Sequence, residues 1–138
     1  MSKTYIIDAC ALIAFLQNEP GSVVMSEIIW EGTTGAADLY MHKLNLLEVY
    51  YGSLREYGLK RSNETMKMIT DSPIQIISGL SDPVFAEAGR LKATYRISLA
   101  DSIALAEASV RNAALVTSDR HEFDVIEQNE PIVFQWIR

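Results

Sequence analysis

Short apolar runs of strand length alternate along this chain with longer segments whose apolar residues recur at helical spacing. Lys3 to Asp8 predicts a buried strand, followed by an apolar helix to about Gln17 and a break at Asn18-Glu19-Pro20-Gly21. Ser22 to Trp30 is predicted helical through Val23, Val24, Ile28 and Ile29, and Gly32 to Gly35 a loop. Asp38 to His42 predicts a short strand. Lys43 to Tyr57 predicts a long helix closed by Gly58. Ser62 or Asn63 is the expected cap of a helix running to about Thr70. Pro73 to Ile77 reads as a strand, and Ser81-Asp82-Pro83 opens a helix to about Tyr95 with proline in its first turn. Ala100 to Arg111 is the next helix, Ala114 to Thr117 a strand, Glu122 to Ile126 a short helix and Ile132 to Trp136 the last strand. Strands of this kind interleaved with helices predict an α/β domain around a mostly parallel sheet.

Four acids interrupt that pattern where a charge should be excluded: Asp8 in YIIDACAL, Glu48 in NLLEVYYG, Asp101 in SLADSIALAEA and Asp119 in ALVTSDRHEF. A carboxylate among Ile, Leu, Val and Tyr is costly to desolvate without a cation, and few basic residues stand nearby. Asp8 and Asp119 each follow a strand, at the sheet edge where α/β ligands bind, although either alone reads first as an N-cap. The Lys43–Tyr57 helix is apolar nearly all round, through Leu44, Leu46, Leu47, Val49, Tyr50, Tyr51 and Leu54, and is expected to be buried. Glu48 in its middle needs a partner, and Asn45 shares its face one turn earlier. Asp101 could start its helix, but it also shares a small-residue face with Ala104, Leu105 and Ala108. Carboxylates converging on a shared divalent ion would offset one another's desolvation, and an oxygen-liganded ion points to phosphate chemistry.

Composition narrows the classes. At 138 residues, 49 % of them hydrophobic, the chain fits one compact domain over residues 1–138. No apolar run approaches the roughly 20 residues of a membrane span. MSKTYIID leads straight into a strand without a signal-peptide pattern, and the single cysteine, Cys10, has no intramolecular partner. The expectation is a cytoplasmic protein. The net charge of −6 argues against a nucleic-acid partner, but removing the four acids from the total of 18 leaves 14 against 12 bases. Glu122, Asp124, Thr117 and Ser118 are auxiliary candidates, while His42 and His121 lack a ligand-spaced partner and do not suggest zinc.

The order and contexts of these acids resemble the PIN-domain ribonucleases, especially the VapC-type toxins of toxin–antitoxin pairs. The resemblance runs from IIDACAL through NLLEVYYG and LADSIALAEA to LVTSD, nearly the whole chain. It implies a PIN-like α/β/α sandwich around a sheet of about five strands, with Asp8, Glu48, Asp101 and Asp119 as catalytic metal ligands for Mg²⁺ or Mn²⁺. Asn45, Thr117 and Asp124 match auxiliary polar positions, whereas Cys10 stands where the family often has Ser or Thr. It further implies hydrolysis of RNA phosphodiester bonds, a homodimer and a cognate antitoxin whose apolar helix lies between Ser22–Trp30 and Lys43–Tyr57. Apolar and aromatic surplus there, at Met25, Trp30, Tyr40, Tyr50, Tyr51 and Tyr57, agrees with an interface. Lys43, Arg55, Lys60, Arg61, Lys67, Arg90, Lys92 and Arg96 are candidate RNA-backbone contacts. An aspartyl-phosphate phosphatase remains a competing reading, but position 10 is Cys instead of the needed second Asp, and no phosphate-binding Lys stands near Asp119. A receiver domain lacks its central Asp at Ile76-Ile77-Ser78. A catalytically inactive metal- or partner-binding module also stays open.

Overall fold

A computed structural model describes residues 3–138. The elements run β1 (Lys3–Ile7), α1 (Ala9–Leu16), α2 (Ser22–Thr34), β2 (Ala37–His42), α3 (Lys43–Tyr57), α4 (Leu59–Thr70) and β3 (Ile74–Ile77). They continue with α5 (Asp82–Thr94), α6 (Leu99–Arg111), β4 (Ala114–Thr117), α7 (Arg120–Asn129) and β5 (Val133–Trp136). The five strands form one sheet in the order β3-β2-β1-β4-β5, and every neighbouring pair is parallel. Order reverses at β1, so the carboxyl ends of β1 and β4 diverge into helices on opposite faces and open a crevice between them.

Alternation along β1 divides the core into two layers. Tyr5 and Ile7 face Leu12, Met25, Leu39, Val49 and Ile69 under α1–α4. Ile6 faces Leu91, Leu105, Leu115, Phe123 and Ile126 under α5–α7. This is the expected α/β/α sandwich. No helix among the described residues is long and apolar enough to cross a membrane.

Three local expectations change. Gly32 is helical, because α2 continues to Thr34 and ends on Gly35 at φ 83°. The helix keeps a glycine there because it runs against β2: a Cβ would stand 2.6 Å from Leu39 Cδ1 and 3.2 Å from Pro73 Cβ. Neither Ser62 nor Asn63 caps α4, which starts at Leu59 directly after Gly58 (φ 83°). Ser62 is buried inside it, its hydroxyl within 2.8 Å of Ser53 Oγ and donating to Gly58 O at 2.7 Å. Finally, α3 is not buried all round. Only Asn45 and Val49 are fully covered, while Leu44, Leu47, Tyr51 and Tyr57 are exposed, because α3 packs inward through one line of side chains. Of the supposed interface residues, Met25 is core and Tyr40 lies half-buried beneath Arg111, whereas Trp30 is 66 % exposed.

The close approach at Gly32 sets a test. Gly32→Ala gains about 1 kcal/mol of helix propensity but overpacks a filled site, at about 1–3 kcal/mol. Thermal melting of Gly32→Ala should show a net loss of a few degrees. Gly89→Ala, where a Cβ meets nothing within 4 Å, should melt at or above wild type. Equal gains in both would contradict the packing described for α2.

Candidate active site

Parallel pairing of β1 with β4 sets Ile7 beside Val116, and the Asp8 N–H donates to Val116 O at 3.2 Å. Asp8 is thereby fixed against Thr117, at the carboxyl edge of the two central strands. Its side chain caps α1, accepting from the Ala11 N–H at 2.8 Å, and it takes a further hydrogen bond from Thr117. The group is 2 % exposed. Burial pushes its pKa up to about 7; the bonds from Thr117 and Ala11 oppose the shift, and the charges of Asp101 and Asp119 add to it.

Thr117, itself fully buried, joins two of the acids. Its Oγ1 accepts from the Asp119 N–H at 3.1 Å while its hydroxyl bonds Asp8. Asp119 caps α7 by accepting from the Glu122 N–H at 3.2 Å. The cap reading of Asp8 and Asp119 is therefore correct, and it is also what brings both carboxylates to one place.

Asp101 enters from α6, whose N-cap is Ser98, accepting from the Asp101 N–H at 3.1 Å. Because Ser98 does the capping, the Asp101 carboxylate is not needed for that role. Burial raises its pKa, a hydrogen bond with Ser98 opposes this, and repulsion from Asp119 and Glu122 adds to the rise. Behind it Ala104, Leu105 and Ala108 are buried as the sequence predicts. Glu48 projects from the middle of α3, half-buried, its pKa raised by burial first and then by Asp101. Asp8, Asp101 and Asp119 are thus electrostatically linked, and Glu48 joins through Asp101. None of the four takes part in an ion pair among the described residues.

Glu122 acts on this group through Asp101, and both Glu122 and Asp124 are exposed on α7. Asn45 is completely buried one turn before Glu48, and neither its Oδ1 nor its Nδ2 has a hydrogen-bond partner. Such an orphaned amide beside an acidic cluster marks a place where a bound species or water belongs. Cys10 lies 3.1 Å from Ser118 Oγ, so the thiol occupies the hydroxyl position without losing its polar contact. Burial raises the Cys10 pKa; the bond to Ser118 lowers it, Asp8 and Asp119 raise it, and Arg138 lowers it.

The donor set fits an oxygen-liganded divalent cation in chemistry and in charge. It consists of carboxylates, hydroxyls and one amide, with uncompensated negative charge and an unsatisfied buried polar side chain. Among the described residues no three His, Cys, Asp or Glu side chains already surround one point at ligating spacing.

Two further buried groups have other roles. His42 caps α3, Nδ1 accepting from the Leu44 N–H at 3.1 Å and Nε2 donating to Gly79 O at 3.0 Å. Glu107, a buried acid missed in the sequence, receives Arg111 Nε at 3.0 Å and lies 3.8 Å from His42. Its i,i+4 spacing to Arg111 was the available signal. Two grooves are not lined by the four acids: one of about 480 Å³ runs between α1, α3 and α4, and one of about 510 Å³ flanks the start of α3.

Comparison with known proteins agrees with this architecture. The chain superimposes on a toxin–antitoxin complex from Klebsiella pneumoniae at TM-score 0.72 and 17 % identity, covering 97 % of this chain and 98 % of that one. VapBC-1 from nontypeable Haemophilus influenzae gives 0.73 at 19 % identity, with the same coverage. DNA-bound VapBC from Salmonella typhimurium gives 0.76 at 13 % identity over 100 % of both chains. At these identities the likeness is one of fold. No curated protein matches the sequence significantly. The sequence profile of the PIN domain, however, matches residues 5–128, a span that holds every acid described above, and the chain belongs to the PIN-domain family.

Proposed function

We propose that this chain is a Mg²⁺- or Mn²⁺-dependent endoribonuclease, cytoplasmic, and the toxin of a toxin–antitoxin pair. The reading is supported by Asp8 and Asp119 at the carboxyl ends of β1 and β4, with Asp101 acting on Asp8 and on Glu48 and none of the four in an ion pair among the described residues. These four would hold the cation. When bound, it supplies a more acidic water and stabilises charge on the phosphoryl oxygens. Asp8 holds a proton near neutrality until then, Thr117 fixes the Asp8 and Asp119 positions, and Asn45 offers a donor and an acceptor inside the site. No covalent enzyme intermediate is needed. The phosphatase reading is not favoured, since Cys10 and Ser118 occupy the place where its second carboxylate would act.

The toxin part of the proposal rests on the fold likeness and on surface. Structures with this fold include VapBC assemblies. An antitoxin helix would lie along the α1–α3–α4 groove, lined by Ile13, Leu16, Val49, Tyr57 and Met68, because α1 packs against both α2 and α3, where the sequence suggests the groove. A homodimer would cover other exposed apolar residues.

Asp8→Asn and Asp101→Asn should each lower metal-dependent cleavage of single-stranded RNA by more than about 100-fold while folding normally. Expression of the wild type, but not of these variants, should arrest growth, with rescue by the product of the neighbouring gene. Near wild-type cleavage by either variant would reduce that residue to a helix cap. Cleavage without growth arrest would leave the nuclease reading and remove the toxin one.

A pH dependence follows from Asp8. Its folded pKa of about 7 lies above the ordinary unfolded value near 3.9. Between about pH 4 and 7 the native state holds a proton that the unfolded chain releases, so stability falls as pH rises and levels off above about 7. A tenfold change in proton affinity is about 1.4 kcal/mol, giving on the order of 4 kcal/mol at most for Asp8. The difference in melting temperature between Asp8→Asn and wild type in EDTA should therefore grow, in favour of Asn, from pH 5 to pH 7.5. A difference that stays flat would contradict the burial of an ionisable Asp8.

A further inference from the structure

The C-terminal strand brings cations to the acidic edge that the sequence did not single out. In the β4–β5 ladder Thr117 stands beside Trp136, and the Ile137 N–H donates to Thr117 O at 3.1 Å. Arg138 therefore follows the end of β4, where its charge acts on Cys10. Arg120, the first residue of α7 and the neighbour of Asp119, lays its guanidinium 4.4 Å over the Trp136 ring and donates from Nε to Arg138 O at 3.1 Å. Trp136 is stacked in turn on Phe134, 5.3 Å between centroids at 12°, and its Nε1–H donates to Glu127 at 2.9 Å. Neither arginine makes an ion pair among the described residues, and both are exposed.

Several other cations are engaged elsewhere. Lys67 pairs with Asp71, Arg90 is held by Glu87 and Glu130, and Arg55 and Arg61 lie over Tyr51 and Tyr57. An acidic cluster repels a polyanion, so a substrate strand needs cations close to the acids and outside them. Arg120 meets that need in two ways: its tethered plane is held rigid by an aromatic ladder, and its Nη groups keep their hydrogens free.

We infer that Arg120, backed by Trp136, and Arg138 form a nucleotide subsite that seats single-stranded RNA beside the phosphodiester to be cut. A base next to that bond stacks on the outer face of the Arg120 guanidinium, and the two arginines contact the adjoining phosphate. Single strands fit because a paired base cannot present its face to such a plane. This subsite rests on the nuclease reading and adds to it the elements that hold the substrate.

The test is steady-state cleavage of a short single-stranded oligoribonucleotide in Mg²⁺ or Mn²⁺ by wild type, Arg120→Ala, Arg120→Lys and Arg138→Ala, with melting temperatures as the folding control. Arg120→Ala should raise KM about tenfold with kcat little changed. It should also flatten the dependence of log(kcat/KM) on log salt by about 0.7 for each phosphate no longer held. Arg120→Lys should restore the salt dependence but not KM, because the charge returns without the plane. An abasic nucleotide at the stacked position should penalise wild type and leave Arg120→Ala unaffected. If wild type cuts no RNA, the nuclease reading falls and the subsite with it. If wild type cuts and Arg120→Ala keeps its KM, the subsite alone is overturned. It is overturned equally if Arg120→Ala keeps its KM and instead loses a protein partner.

Discussion

Burying Asp8 at the end of the central strand is the constraint around which the rest of the molecule is arranged. A carboxylate that is 2 % exposed must be held by hydrogen bonds, protonated or paired with a cation. The fold supplies the first through Ala11 and Thr117 and allows the second near neutral pH. It works against ionisation by bringing Asp101 and Asp119 to the same edge. Replacing Asp8 by an apolar residue would relieve that burden in a protein with no use for a cation. Keeping these acids near one another with no ion pair among the described residues is intelligible if their combined charge is the function.

Thr117 shows how closely fold and site are joined. It ends β4, pairs in register with Trp136, bonds Asp8 and accepts from the Asp119 N–H. One buried hydroxyl thus fixes two proposed ligands and ties them to the strand that delivers Arg138 and the Trp136 ring beneath Arg120. The outer helices contribute differently: α3 carries Glu48 with one narrow face inward, leaving apolar side chains on the rest of it outside, whereas α6, buried from Ser102 to Ala108, carries Asp101 near its start.

Much of this was legible in the sequence. The five strands and the parallel sheet follow from apolar runs of strand length between helical segments, and the four acids stand out as charges in apolar contexts, two after strands and two on helices. What was not legible depends on rotation and register. The apolar spacing in α3 does not reveal that only the Asn45–Val49 line faces inward. Gly32 looked like a loop because its reason for being glycine is Leu39, a residue in the next element. That Glu122 acts on Asp101 depends on the turn of α7, which Asp119 sets through its cap. Arg120 and Arg138 acquire meaning only once β5 is aligned with β4.

The most direct measurement of the central claim is proton release on titrating the chain with Mn²⁺ at pH 7 in a weakly buffered solution. The proposed site holds protons that a divalent cation must displace. Saturable binding should release on the order of one proton per site, and Asp8→Asn should bind more weakly and release less. Absence of saturable binding at millimolar Mn²⁺ and Mg²⁺, or binding unchanged in Asp8→Asn, would contradict the assignment of these four acids as a metal centre.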